Sequence, residues 1–156
     1  MDYRMMDVES LKQLMLVRIG ELEQKGLVDQ HFRNCYSLKE GNGIKFFVEL
    51  IPIFKDDVQK TINDMTDALN QPVMNFRQMY LDFIKLKGSS SCFGACRVRE
   101  ACATLYEAIE NKSKERCIWA LDGIKHEQKY LEDHLDIIVE IENEIIARSG
   151  GQRRQI

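Results

Sequence analysis

The sequence predicts an all-α protein: an antiparallel up-down four-helix bundle with two additional N-terminal helices. Three observations carry that expectation. Apolar residues recur at spacings of three and four along nearly the whole chain, the period of a helix with one buried face. Only two prolines, Pro52 and Pro72, interrupt 156 residues, so long helices are possible. No strand signal appears: Val73-Met74 is too short, and Ile137-Ile138-Val139 lies within helical periodicity.

A first helix is expected from about Asp7 to Lys25, with Val8, Leu11, Met15, Ile19 and Leu22 inward and Gly26 ending it. Leu27 to Leu38 reads as a shorter second helix with Asp29 in its first turn. Glu40-Gly41-Asn42-Gly43 reads as a loop. A third helix follows from about Ile44 to Asn70, on a stripe of Phe47, Leu50, Ile51, Phe54, Val58, Ile62, Met65 and Leu69. Pro52 falls inside it, where a missing N–H and a ring clash predict a kink. Asn70-Gln71-Pro72 is a turn. The fourth helix is expected over Asn75 to Lys87, burying Phe76, Met79, Tyr80, Phe83 and Leu86, with Ser89 to Ser91 as the connection and as a cap for the next helix. The fifth runs from about Phe93 to Asn111, with Val98, Cys102, Leu105 and Ile109 inward. The last is long, from about Ser113 to Ala147; Gln128 and Glu142 interrupt its apolar series, and its final turns are expected to pack on the first helix. The helices from the third onward make the bundle, and the first two cap one end. Residues 1–148 are expected to be one domain and 149–156 a flexible polar tail.

Composition excludes several classes of function. A chain of this length can bury one sizeable core. With 44% hydrophobic and 30% charged residues it reads as ordinary globular protein. The net charge of −3 and the lack of a basic stripe argue against nucleic acid. No apolar run is long enough to span a bilayer. The five cysteines include no Cys-x-x-Cys pair, and with the three scattered histidines they give no zinc framework. Reduced thiols in a cytosolic or nuclear protein are expected. No phosphate loop, catalytic triad or cofactor motif is present, so neither an enzyme nor a metal or other cofactor is expected.

The most informative stretch is Phe83-Ile84-Lys85-Leu86-Lys87-Gly88-Ser89-Ser90-Ser91. On a helix, Tyr80, Ile84, Lys87 and Gly88 share one face. A glycine inside a helix costs about 1 kcal/mol relative to alanine, so Gly88 either ends the helix or leaves room for something. Lys87-Gly88-Ser89, followed by Gly94-Ala95, Val98 and Cys102, resembles the plant branch of the histidine-containing phosphotransfer family, which runs His-x-x-Lys-Gly-Ser-Ser and then Gly-Ala, Val and Cys at this spacing. Gly26, Asp29 and Phe32 resemble the turn between that family's first two helices. The resemblance implies a helical bundle whose exposed acceptor histidine meets the aspartyl phosphate of a receiver domain, with the lysine beside the phosphoryl oxygens.

Ile84 stands where that histidine belongs. Its sec-butyl group has no lone pair and cannot form a phosphoramidate. Members with a changed acceptor usually carry asparagine there; isoleucine is a further departure, as is Lys85 in place of glutamine. His31, His126 and His134 have no His-x-x-Lys-Gly context. The resemblance therefore implies a phosphorelay protein without its chemistry. Such a protein docks on receiver domains of hybrid kinases and response regulators through Tyr80, Ile84, Lys85, Lys87, Gly88 and Ser89 on the second and fourth helices. It damps the relay, in plants the one that carries cytokinin signals, and it is expected to be a monomer in the cytoplasm and nucleus. Two alternatives stay open: transfer through another acceptor, such as Ser89 to Ser91, and a helical adaptor with partners other than receivers.

Overall fold

The computed structural model describes residues 2–154, and for residues 150–154 the backbone alone. Every regular element among them is helical. A single 3-10 turn, Tyr3–Met5, precedes α1 (Val8–Gln24), α2 (Gln30–Ser37), α3 (Lys39–Asn42), α4 (Phe46–Leu69), α5 (Phe76–Phe93), α6 (Cys96–Glu110) and α7 (Lys114–Arg154). Helices α4 to α7 form the up-down bundle: α5 packs between α4 and α6, and α7 closes the ring against α6 and α4. The expected stripes are the core. Phe47, Ile51, Phe54, Val58, Ile62 and Met65 of α4 are buried, as are Val98, Cys102 and Leu105 of α6 and Leu121, Ile124, Leu131, Leu135 and Ile138 of α7.

The long α7 outruns the bundle, and its C-terminal half is the surface on which α1 lies. The two run antiparallel. At one end the Arg148 guanidinium donates to the carbonyls of Tyr3, Arg4 and Met6. At the other, Lys25 Nζ lies 3.4 Å from His134 Nε2. So α1 flanks the bundle rather than capping its end: a helix with Leu11, Met15, Ile19 and Leu22 all buried needs a full-length partner for that face. Gln128 and Glu142, which break the apolar series of α7, do not turn outward. Both are buried, and Glu142 accepts from Lys39 Nζ at 2.7 Å.

Several boundaries differ from expectation. Asp29 precedes α2 as its N-cap, its carboxylate accepting from the His31 N–H at 2.9 Å, while Leu27 and Val28 are buried connectors. Lys39–Asn42 is a helical turn rather than loop; Gly43, at φ +100°, ends it, and α4 begins only at Phe46. As expected, it is a single helix through Pro52, whose exposed ring lies on its outer side. The largest difference is in α5. It does not stop at Lys87 but carries Gly88 and all three serines to Phe93. The serines are compatible with helix because Ser91 Oγ donates back to the Lys87 carbonyl at 2.7 Å. The stop is Gly94, at φ +90°. Ala95 donates back to Ser90 O at 2.8 Å, the return bond of a left-handed helix end. No serine caps α6, whose N-cap is Ala95. At the other extreme α7 continues past Ala147 to Arg154, since two glycines cost a helix only about 1 kcal/mol each. The tail expected from residue 149 thus falls largely within α7, and residues 155–156 lie outside the described residues.

Candidate functional site

Helix α5 starts under a cap, the Asn75 side chain accepting from the Gln78 N–H at 3.1 Å. It buries Met79, Phe83, Leu86 and Phe93 against the bundle. The opposite side carries the residues singled out from the sequence. Ile84 is 47% exposed, Leu81 45% and Tyr80 39%. Lys85, Lys87 and Gly88 are exposed, and Ser89 is half-buried. The structure therefore brings Tyr80, Ile84, Lys87 and Gly88 onto one open ridge, while Lys85 and Ser89 lie on its edges. Tyr80 is a correction: it was expected inside. Its ring instead lies over the α5–α6 seam, 6.5 Å from Tyr106 and 6.1 Å from Phe83.

Two grooves flank the ridge. Between α5 and α6 a hollow of about 380 Å³ is lined by Phe83, Lys87, Arg99, Ala103, Tyr106 and Glu107. The Lys87 ammonium sits 5.9 Å from the Phe83 ring centroid, which steadies its stem while leaving its charge in solvent. On the other side a hollow of about 310 Å³ opens between α2, α4 and α5, with Cys35, Ile53, Asp57, Gly88, Ser89 and Cys92 on its walls. Ile53 is 57% exposed there. A Cβ built on Gly88 would meet nothing within 4 Å. Gly88 is therefore not required by packing inside this chain.

Gly94 has the opposite character. A Cβ there would lie 2.3 Å from the Phe32 backbone nitrogen. The start of α2 is pressed onto this turn: the Asp29 N–H donates to Gly94 O at 2.9 Å, and Asp29 Oδ2 accepts from Arg99 Nη1 at 3.0 Å. Burial opposes ionisation of Asp29, but the His31 N–H and Arg99 outweigh it and hold its carboxyl below the usual value. Gly94, Asp29 and Arg99 thus fix α2 beside α5. Ala95, Val98 and Cys102 are core. These residues position the ridge without belonging to it.

No histidine lies on the ridge. Ile84 offers only carbon. Ser90 is fully buried, and the Ser91 hydroxyl is held by the Lys87 carbonyl. Asp82, two residues before Ile84, points inward; burial pushes its carboxyl up, and Gln78 Nε2, at 3.3 Å, is its hydrogen-bond donor. Sequence reasoning placed the surface on two helices. Structure places Ile53 and Asp57 from α4 and Arg99 and Tyr106 from α6 on the walls of the grooves beside the ridge. Ile53 and Tyr106 had a signal in retrospect, as large apolar residues off the buried stripe of their helices. The placement of Asp57 and Arg99 had none, because it depends on how helices distant in sequence pack.

The fold and the ridge define a small all-helical bundle module with a lysine-glycine face on the outer side of one helix. Known proteins show which family it is. The sequence profile of the Hpt domain matches residues 49–145. Histidine-containing phosphotransfer protein 5 of Arabidopsis thaliana is 32% identical over 139 residues, covering 88% of each chain. Pseudo histidine-containing phosphotransfer protein 6 of the same plant is 26% identical over 133 residues, covering 85% of this chain and 86% of that one. The crystal structure of a histidine-containing phosphotransfer protein from maize superposes with a TM-score of 0.79 at 27% identity, covering 86% of this chain and 99% of its own. The chain belongs to the histidine-containing phosphotransfer (Hpt) family.

Proposed function

We propose that this chain is a silent member of that family: it docks on receiver domains of a His-Asp phosphorelay and does not accept phosphate. The observation that carries the reading is Ile84, half-exposed at the middle of the ridge with Lys87 and Gly88 beside it. The electrostatic and steric parts of a docking face are kept, and the lone pair that would form an N–P bond is gone. By occupying receivers without draining their phosphate, the chain damps the relay, which on this reading is the cytokinin relay, acting in cytoplasm and nucleus. It acts as a monomer, since one ridge suffices to cover one receiver's phosphorylated end.

Ile84 does more than remove chemistry. Burying a whole isoleucine side chain is worth roughly 1.5–3 kcal/mol. A side chain already half covered has about 1 kcal/mol left to gain, roughly a fivefold increase in affinity. Ser90 is buried and the Ser91 hydroxyl is held by the Lys87 carbonyl, so Ser89, half-buried at the edge of the ridge, is the serine that a test for another acceptor must address.

The test is a competition. A receiver carrying labelled phosphate is mixed with an authentic Hpt protein, with and without this chain, and label is followed on all three. The reading expects this chain to stay unlabelled and to slow transfer. Label on this chain would establish another acceptor. No label and no slowing, across a panel of receivers, would leave a helical adaptor with other partners.

A further inference from the structure

The five cysteines are free thiols, and four of them sort into two environments that contrast with the fifth. Cys102 and Cys117 are sealed in the bundle core, fully buried. Cys96 is buried at the start of α6 and points its S–H at the Gly26 carbonyl, 3.2 Å away. Cys35 is buried near the end of α2, 8% exposed. Cys92, one residue before the end of α5, is exposed. Cys35 and Cys92 meet across the boundary between α2 and α5. The Cys35 Sγ lies 3.8 Å from the carbonyl oxygen of Cys92, and both residues line the groove that borders Gly88 and Ser89.

We propose that Cys35 and Cys92 form a redox site that a hydroperoxide converts to a disulfide, with Cys92 as the reacting thiol and Cys35 as the resolving one. The roles follow from access: Cys92 is exposed and meets a peroxide first, whereas Cys35, 8% exposed on the same groove, is the less accessible of the two. In the first step the Cys92 sulfur attacks one peroxide oxygen, an S–O bond forms as the O–O bond breaks, Cys92 becomes a sulfenic acid, and the other oxygen departs as water with the thiol proton. In the second the Cys35 sulfur attacks the Cys92 sulfur, the S–O bond breaks, and the hydroxyl departs as water with the Cys35 proton. Two thiols lose two electrons and one hydrogen peroxide is reduced to two waters. A small dithiol reverses the bond by exchange.

Burial pushes the Cys35 thiol up, which disfavours its direct attack on peroxide and leaves the first step to Cys92. Cys96 does not compete for Cys92, because it lies beyond the Gly94 turn and is engaged with Gly26. The bond would tie α2 to α5 along the wall of the groove beside Gly88. Disulfides in reducing compartments are characteristically of this transient kind.

The experiment needs no receiver, so it fails or succeeds apart from the docking proposal. The full native chain is treated with hydrogen peroxide, alkylated, digested and mapped by mass spectrometry, with and without dithiothreitol. The expected product is a dithiothreitol-sensitive peptide pair joining Cys35 to Cys92. Cys92→Ser, a change at an exposed position, should reduce that product to background. Cys35→Ser should leave Cys92 as a sulfenic acid that dimedone traps. The absence of the Cys35–Cys92 pair from wild type after peroxide overturns the proposal, whether Cys92 is then unmodified, over-oxidised, or linked to Cys96 or to a second chain.

Discussion

Two glycines six positions apart should respond to the same substitution with opposite signs. Gly88 lies inside α5 with ordinary helical backbone, and a methyl group there touches nothing. Alanine is about 1 kcal/mol better than glycine in a helix interior, so Gly88→Ala should stabilise the fold by roughly that amount. For a domain of this size that is a rise in Tm of about 2–4 °C. Gly94 sits at φ +90° with Phe32 N 2.3 Å from the Cβ it would gain. Left-handed backbone costs a non-glycine residue about 1–2 kcal/mol, and the overlap, on backbone that cannot rotate away, adds about 1–3 kcal/mol. Gly94→Ala should therefore lose about 2–5 kcal/mol, or about 4–20 °C in Tm, as α2 is pushed off the turn that its Asp29 N–H grips. Urea denaturation of wild type and both variants, with unchanged slopes, measures this directly. The same Gly88→Ala protein should bind a receiver more weakly, by about tenfold or ~1.4 kcal/mol, because its methyl stands in the docking face. A more stable, poorer binder is the signature of a glycine kept for a partner. A Gly88→Ala protein less stable than wild type would refute the argument, since Gly88 would then be serving the fold.

Three further outcomes follow from the same geometry. Ile84→Asp should leave stability nearly unchanged at an exposed position and cost receiver binding about 2–4 kcal/mol, roughly 30- to 700-fold; unchanged affinity by titration calorimetry would remove Ile84 from the interface. Lys39→Met leaves the fully buried Glu142 without its cation and should cost about 3–5 kcal/mol in denaturant, and a loss under about 1 kcal/mol would mean that Glu142 finds another partner. Asp29→Ala should lose about 1–2 kcal/mol, from the cap and the half-buried Arg99 pair. Because the folded Asp29 carboxyl titrates below its usual value, its contribution is present above the ordinary carboxylate range and disappears as pH falls toward the folded value. The gap between wild type and Asp29→Ala should close across that acidic window, and a gap independent of pH would show that Asp29 acts without its charge.

The bundle was legible because burial on one face writes a period into the sequence, and the stripes of α4, α6 and α7 match the core almost residue for residue. What periodicity could not show was how a polar residue on a stripe is satisfied. Gln128 and Glu142 read as interruptions because Lys39, the partner of Glu142, lies far away in sequence. The end of α5 was misread for a related reason. Glycine and three serines are the composition of a loop, but here Ser91 bonds back to its own helix and the true stop is Gly94. That error also hid a division within the motif: Lys87 and Gly88 face solvent, while Gly94, Ala95, Val98 and Cys102 hold the helices together. That Tyr80, Ile84, Lys87 and Gly88 share one face of α5 was legible from helical spacing. The grooves beside them were not, because Ile53, Asp57, Arg99 and Tyr106 reach the site only through packing.

The central claim is that a docking face has been kept and only its nucleophile lost. Restoring the nucleophile tests it most directly. Wild type and Ile84→His would be incubated with a labelled phospho-receiver, and protein-bound label assayed for the acid-labile, base-stable behaviour of a phosphoramidate. The account predicts no label on wild type and such label on Ile84→His. Label on wild type, or a folded Ile84→His protein that takes none from any receiver its parent binds, would contradict it.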